Sequence, residues 1–226
     1  LNIVGNKSND LLLSVPIISK REGIFLYNGS NLTKYNKING QRLWTKNISL
    51  KTKPIATANN LFVITKKDFL ICLDSITGDV IWSTKVFSSL GIKASKLRKK
   101  FGRIASFTIA QNELLLFTSR GQVLSFDYRD GSFITYNKLM KFGLSTDPII
   151  ANGMIFVMDS TSKVSGLDAD GKVIWSVSLV PKLESSKDAS GGGLSFDKGS
   201  IYVVTGFGEV FRINSEDGNV IWKRKL

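Results

Sequence analysis

The residue types that most often carry enzyme chemistry are scarce in this chain. Its 226 residues include no histidine, and Cys72 is the single cysteine. A Ser–His–Asp triad, a Cys–His pair and a Cys/His zinc site are therefore excluded. Cys72 lies within the apolar run 69–73, which indicates a buried small side chain rather than a nucleophile. The sequence predicts no catalytic residue, no metal and no cofactor, and the protein is predicted not to be an enzyme.

One acidic segment resembles the start of a calcium-binding loop. Asp168 and Asp170 are followed by Gly171, in the spacing that opens such loops. No further acidic residues follow at ligand positions, and the segment belongs to a repeated pattern. It therefore favours a hairpin turn over a metal site.

That pattern occurs five times along the chain. In each copy an apolar residue and then Asp or Asn precede a turn glycine, and tryptophan stands four residues after the glycine. Only the third copy departs, with Thr135, and all four tryptophans of the chain occupy this position. The residues that define the repeat are Gly40, Trp44, Asp74, Gly78, Trp82, Asp127, Gly131, Asp168, Gly171, Trp175, Gly218 and Trp222.

Each repeat predicts a four-stranded antiparallel sheet. Asp or Asn closes a tight turn through its side chain, glycine supplies the positive φ, and a run such as 80–82 is a β-branched and aromatic strand. Two strands joined by a short turn precede it, and a shorter strand, often begun by proline, opens most units. Such units stack as the blades of an all-β propeller, with the tryptophan docked between neighbours.

The spacing predicts one propeller domain over residues 1–226, with five blades visible. The expected blades cover residues 15–48, 53–86, 106–139, 147–179 and 192–226. Insertions over 87–105 and 181–191 account for the two longer separations between turn glycines.

The first insertion concentrates positive charge in a chain whose formal net charge is +13. Lys96, Leu97, Arg98, Lys99, Lys100 and Phe101 are the candidate partner-binding residues. Several cations on one loop would speed encounter with an acidic partner or with anionic lipid head groups, and the two apolar residues could anchor it. The alternative is a solvated loop without function. Nucleic acid is not an expected partner, because no basic stripe with interleaved aromatic residues is present.

The repeat resembles the tryptophan-docking motif of the PQQ-like (quinoprotein-like) β-propeller family over nearly the whole chain. Residues 147–226 are most similar to the BamB family of outer-membrane protein assembly lipoproteins, in its α-proteobacterial form. The similar segments are 166–179, 189–194 and 202–210. The resemblance implies a ring of seven or eight blades. The segment that contains the triple glycine 191–193 resembles an early blade of that family. In this chain it belongs to the last blade, after blades that resemble later ones.

The resemblance also implies a function. It predicts a non-catalytic periplasmic scaffold that binds the periplasmic domains of a β-barrel insertase and takes unfolded outer-membrane protein segments as further partners. Outer-membrane association would come from a lipid anchor, which is not expected within this chain because its first residues do not resemble a signal peptide. The alternatives are a piece of a PQQ-dependent dehydrogenase and a generic ligand- or glycan-binding propeller. The lone Cys72 cannot supply the adjacent cysteine pair typical of those dehydrogenases.

Overall fold

The chain folds into five four-stranded antiparallel sheets, each made of strands consecutive in sequence. The computed structural model describes residues 16–18, 23–92, 94–180 and 192–226. The predicted all-β architecture of propeller blades is therefore confirmed. The second predicted insertion, 181–191, lies outside the described residues. No helix among the residues described is long and apolar enough to cross a membrane.

The strands follow one order in every blade. Blade 1 contains β1 (Ile17–Ile18), β2 (Gly23–Asn28), β3 (Asn31–Asn36) and β4 (Arg42–Asn47). Blade 2 contains β5 (Ile55–Ala56), β6 (Asn60–Ile64), β7 (Phe69–Asp74) and β8 (Val80–Lys85). Blade 3 contains β9 (Ile104–Ala110), β10 (Glu113–Thr118), β11 (Gln122–Asp127) and β12 (Phe133–Lys138). Blade 4 contains β13 (Ile149–Ala151), β14 (Met154–Met158), β15 (Lys163–Leu167) and β16 (Val173–Ser178). Blade 5 contains β17 (Gly192–Asp197), β18 (Ser200–Thr205), β19 (Glu209–Asn214) and β20 (Val220–Lys225).

The blades fall into two compact units. Unit 1 spans Leu1–Val86 and holds blades 1 and 2. Its core is apolar side chains of both blades, because each sheet can bury its inner face only against a neighbouring sheet. The buried members are Phe25, Leu32, Leu50, Leu61, Val63 and Leu73.

Unit 2 spans Phe87–Leu226 and holds blades 3, 4 and 5. One apolar cluster joins blades 3 and 4, with Leu115 and Phe117 packed in the same cluster as Val157. A second cluster joins blades 4 and 5, with Phe156 and Trp175 of blade 4 in the same cluster as Val203 of blade 5. Packing between successive sheets therefore repeats within this unit.

The turn before each fourth strand has the predicted backbone. All five repeat glycines adopt a positive φ, between 70° at Gly40 and 78° at Gly171. Asp74 shows the accompanying side-chain contact, because its Oδ1 accepts hydrogen bonds from the backbone N–H groups of Ile76 at 2.7 Å and Thr77 at 2.9 Å. These bonds favour the ionised carboxylate and lower the pKa of Asp74.

The pairing of the third and fourth strands shifts register once in each blade, just before the repeat tryptophan or its replacement. In blade 2, Cys72 pairs with Trp82 and Leu73 pairs with Val80, which leaves Ile81 without an opposite residue. Such a β-bulge increases the local twist of the fourth strand.

Candidate partner-binding surface on the third blade

The first insertion contains a helix, α1 (Ala94–Phe101), where the sequence analysis expected a loop. Alanine, leucine, lysine and arginine are strong helix formers, and the segment contains neither glycine nor proline. Gly102 follows with φ of 71°, the left-handed conformation that commonly ends a helix. The expectation of a loop rested on the charge of the insertion, whereas the helix follows from the helix propensity of its residues.

Phe101 is not available to a partner, which corrects its assignment as an exposed anchor. Its side chain is fully buried. The ring centroid lies 5.2 Å from that of Tyr136, edge to face, and 6.0 Å from that of Phe87. Aromatic pairs at these separations attract one another and bury a large apolar area. Phe101 therefore fixes α1 to the third blade. Leu97, the second expected anchor, is half-buried.

The predicted cations of α1 differ in their surroundings. Lys96, Lys99 and Lys100 are exposed. Lys100 donates a hydrogen bond to the Tyr136 hydroxyl at 2.5 Å, and its Nζ lies 4.3 Å from the centroid of that ring. A cation over an aromatic face is attracted by the ring, so Lys100 is held close to the blade. Arg98 belongs to α1, and its side chain lies outside the described part of the structure.

Cations from two other segments join those of α1. The backbone N–H of Arg103 donates to Ser119 Oγ at 3.0 Å, and the N–H of Ser119 donates to the Arg103 carbonyl at 2.8 Å. These bonds place the end of α1 beside the β10–β11 turn, which carries the exposed Arg120. Lys138, at the end of β12, donates from Nζ to the Arg120 carbonyl.

The same turn also contacts the segment that follows β12. The N–H of Met140 donates to the Gly121 carbonyl at 3.0 Å, which brings the exposed Lys141 to this end of the blade. We call the resulting set the basic surface: Lys96, Lys99, Lys100, Arg103, Arg120, Lys138 and Lys141. Arg120, Lys138 and Lys141 were not predicted from the sequence, because only the folded blade brings these separate segments together.

No carboxylate belongs to the basic surface, and among the described residues its cations form no ion pair. Two acidic residues of the blade lie at its other end, where Glu113 is opposite Asp127 on β10 and β11, whereas Asp147 accepts a hydrogen bond from Ser106 of β9 at 2.7 Å. A six-residue strand is about 20 Å long, roughly two Debye lengths at physiological ionic strength. Salt therefore screens Glu113 and Asp127 from the cations of the basic surface.

Two repeat tryptophans dock on the turn glycine of the next blade. In unit 1 a Cβ added at Gly78 would lie 2.9 Å from Cδ2 of Trp44. In unit 2 a Cβ added at Gly218 would lie 2.5 Å from Cε3 of Trp175. Glycine is thus needed at these positions for close approach as well as for its backbone conformation.

Asp168 and Cys72, which the sequence raised as a possible metal ligand and a possible nucleophile, both have structural roles. Asp168 Oδ1 accepts hydrogen bonds from the N–H groups of Asp170 at 3.1 Å and Lys172 at 2.7 Å, as a turn carboxylate does. Cys72 is buried, and burial together with the charge of Asp74 raises its pKa to about 11. The described residues contain no group of three His, Cys, Asp or Glu side chains able to hold a metal ion.

Comparison with known proteins agrees with the repeat. A family model described as outer membrane protein assembly factor BamB matches residues 10–84, 28–133 and 160–226. The assembly factor BamB of Nitrosomonas eutropha is 29% identical over 175 residues, which cover 76% of this chain and 38% of that protein. The chain spans between 21% and 54% of the length of such curated relatives.

Solved structures share the fold at low sequence identity. BamB from Moraxella catarrhalis superposes with a TM-score of 0.65 at 12% identity, covering 90% of this chain and 58% of that one. Quinohemoprotein alcohol dehydrogenase from Comamonas testosteroni superposes with a TM-score of 0.67 at 14% identity, covering 93% and 42%. Because both an assembly factor and an enzyme fit, these likenesses concern the fold alone. The family match extends over most of the sequence, and the chain belongs to the family of the outer membrane protein assembly factor BamB.

Proposed function

We propose that this chain is a non-catalytic scaffold in the assembly of β-barrel outer-membrane proteins, located in the periplasm and associated with the outer membrane. Its basic surface binds an acidic face on the periplasmic domains of a β-barrel insertase. The observation that carries this proposal is the set of exposed cations at one end of blade 3, with no carboxylate among them. Family membership supports the process in which the binding takes part.

The basic surface is suited to a protein partner because its backbone is fixed before binding. Phe101, the last residue of α1, is fully buried, and two hydrogen bonds connect Arg103 to Ser119. A preorganised surface loses little conformational entropy on association. Phe142, which is 41% exposed and lies 5.3 Å from Lys141 Nζ, adds an apolar contact at the edge. Cations steer the encounter, and the aromatic ring contributes buried area.

The test measures binding of the purified chain to the periplasmic domains of a β-barrel insertase at low and high salt. The test variant carries Lys96→Ser, Lys99→Ser, Arg120→Ser and Lys141→Ser. The matched control removes the same charge from exposed cations elsewhere, with Lys172→Ser, Lys198→Ser, Arg224→Ser and Lys225→Ser. Because each rim charge is worth about 0.2–1 kcal/mol, we expect the test variant to bind roughly tenfold or more weakly. The control should bind as the native chain does.

Equal loss in both variants would mean that net charge, and not the basic surface, governs binding. Saturable binding that is unchanged in the test variant would keep the assembly role and move the contact elsewhere. Absence of binding by a folded sample would contradict the proposal as a whole. Circular dichroism of each variant establishes that it is folded.

The dehydrogenase alternative is not favoured by the residues present. Cys72 is the single cysteine, and the described residues contain no candidate metal-binding group. The residues present therefore do not fit a site for calcium and pyrroloquinoline quinone, which the resemblance to PQQ-dependent dehydrogenases implies. An absorbance spectrum recorded after addition of pyrroloquinoline quinone and calcium distinguishes the scaffold from the dehydrogenase. A red-shifted spectrum of bound quinone would favour the dehydrogenase. Nothing in the described part of the chain favours a glycan ligand.

We further propose that the blades belong to one propeller domain that continues into a ring of seven or eight blades. Unfolded outer-membrane protein segments are then a second class of partner, added as strands along the outer edge of a blade such as β4.

A further inference from the structure

Unit 1 contains a cleft of about 510 Å³ at the end of its two blades where β4 ends and β6 turns into β7. Its lining includes Ile48 from blade 1 and Lys66, Lys67, Phe69 and Ile71 from blade 2. The volume lies within the range of roughly 300–1,000 Å³ typical of ligand-binding clefts. None of its lining residues belongs to the basic surface.

The floor of the cleft is apolar and fixed. Ile48, Phe69 and Ile71 are half-buried. Ile48 and Ile71 pack against the buried core of unit 1, so their positions follow from the packing of the two blades. Their accessible sides face the cleft and can bury the apolar group of a ligand.

The rim of the cleft is cationic. Lys66 and Lys67 are exposed in the β6–β7 turn, and neither forms an ion pair with another described residue. Lys85 lies opposite Phe69 across β7 and β8, with its Nζ 5.9 Å from the centroid of the ring. Cations thus approach Phe69 from two directions, along the chain and across the strands.

Among the residues that the structure describes, no carboxylate lines the cleft to neutralise these lysines. The nearest acidic residue in sequence, Asp68, is held by the Nζ of Lys51. The other polar lining groups are hydroxyls and an amide, among them Ser83 and Asn47. These groups donate hydrogen bonds but contribute no negative charge.

The turn that carries the lysines is tied down. The N–H of Lys66 donates to the Ser49 carbonyl at 2.9 Å, and the N–H of Lys51 donates to the Ile64 carbonyl at 2.7 Å. On its other side the N–H of Val86 donates to the Asp68 carbonyl at 3.0 Å. The cationic rim is therefore held over the apolar floor before any ligand arrives.

We propose that this cleft binds an acidic peptide segment of a partner protein, with one aromatic side chain of the segment seated on Phe69 and Ile71. Carboxylates on both sides of that aromatic residue contact Lys66 and Lys67 on one side and Lys85 on the other. A peptide fits better than a small anion because the cations flank the apolar floor in two places. This site is independent of insertase binding by the basic surface.

The test titrates the isotope-labelled full chain with the peptide acetyl-Asp-Glu-Phe-Glu-Asp-amide, and follows isoleucine methyl resonances together with fluorescence anisotropy of a labelled copy. We expect the methyl groups of Ile48 and Ile71 to shift, and Lys66→Ser with Lys67→Ser to weaken binding roughly tenfold. The control Lys163→Ser with Lys172→Ser, which removes equal charge from blade 4, should bind as the native chain does. A peptide with serine in place of phenylalanine should lose most of its affinity.

Four outcomes would overturn the proposal, and the fourth comes from small anions and detergents. The first is equal binding of the serine-substituted peptide, and the second is equal binding by the Lys66 and Lys67 variant. The third is shifts confined to residues outside the cleft. If acetate or an anionic detergent produced the same shifts as strongly as the peptide, the site would be a general anion site and the peptide assignment would be wrong. The four-residue variant of the basic surface should still bind the peptide, so failure of one proposal is distinguishable from failure of the other.

Discussion

Trp175 donates the hydrogen of its indole Nε1 to the backbone carbonyl of Ser215, 2.9 Å away in the next blade. The indole reaches this carbonyl because Gly166, opposite Trp175 on β15, has no side chain; a Cβ there would lie 2.5 Å from Cε2 of the ring. In unit 1 the corresponding carbonyl, that of Ser75, accepts from Lys34 Nζ at 2.7 Å. The same backbone carbonyl of the repeat thus accepts a hydrogen bond in both units, from a tryptophan in one and from a lysine in the other.

Replacing the two docked tryptophans should have unequal effects. Trp175→Phe leaves the buried Ser215 carbonyl without its donor, which costs about 1–3 kcal/mol beyond the lost ring volume. Trp44→Phe is the matched control, since the Trp44 indole N–H is buried and makes no hydrogen bond to any described residue. We expect Trp175→Phe to lower the free energy of unfolding more, as measured by urea denaturation followed by circular dichroism. Equal losses would contradict the role given to the hydrogen bond.

Two glycines of blade 5 separate backbone conformation from close approach. Gly208 and Gly218 have φ of 74° and 75°, but an added Cβ meets nothing within 4 Å at Gly208 and lies 2.5 Å from Trp175 at Gly218. Gly208→Ala should therefore cost about 1–2 kcal/mol of backbone strain. Gly218→Ala should cost about 1–3 kcal/mol more from overpacking. Thermal denaturation of both variants checks the difference, and similar melting temperatures would show that the indole moves aside freely.

The buried Lys34 predicts a pH dependence of stability. Burial lowers the pKa of its ammonium, and the charge of Asp74 partly offsets the decrease. The unfolded chain then binds this proton more tightly than the folded chain, so stability rises with pH through the folded pKa towards the unfolded value. We expect the native chain to gain stability relative to Lys34→Met between pH 7 and pH 10, in denaturation curves recorded at both pH values.

The exposed Lys67 provides the control for this pH dependence. Lys67→Met changes the net charge equally and should keep a constant difference from the native chain. If Lys34→Met also kept a constant difference, the proton on Lys34 would not be linked to folding.

Cys72 should react slowly while the protein is folded. With a pKa of about 11, its thiolate is about 100-fold or more scarcer at pH 8 than that of an unperturbed cysteine. Its burial further limits access by the reagent. Iodoacetamide labelling followed by mass spectrometry should proceed at least 100-fold more slowly in buffer than in concentrated urea. Comparable rates in the two solutions would mean that the sheet around Cys72 opens readily.

The parts of the fold set by local chemistry were predictable from sequence. The turn glycines and the carboxylate of Asp74 act on backbone within a few residues, so the repeat identified the blades correctly. The surroundings of Phe101 were not predictable, because Phe87 and Tyr136 reach it only when α1 packs on the folded blade. The basic surface was found in part, since Arg120 and Lys141 lie far along the chain from Lys96. The burial of Lys34 was not predictable, because the carbonyl that accepts its hydrogen bond is 41 residues away.

The register shift in every fourth strand limits what can pair with a blade edge. In β4 the bulge falls at Leu43, so an incoming strand finds regular backbone only from Trp44 to Asn47. The exposed valine and isoleucine residues before three of the four repeat tryptophans, such as Val80 and Ile81, lie where that regularity is broken. Copies of the chain are therefore kept from stacking edge to edge into aggregates at their most apolar positions. A client segment that paired with such an edge would be bound over about four residues. So short a pairing would be weak enough to dissociate.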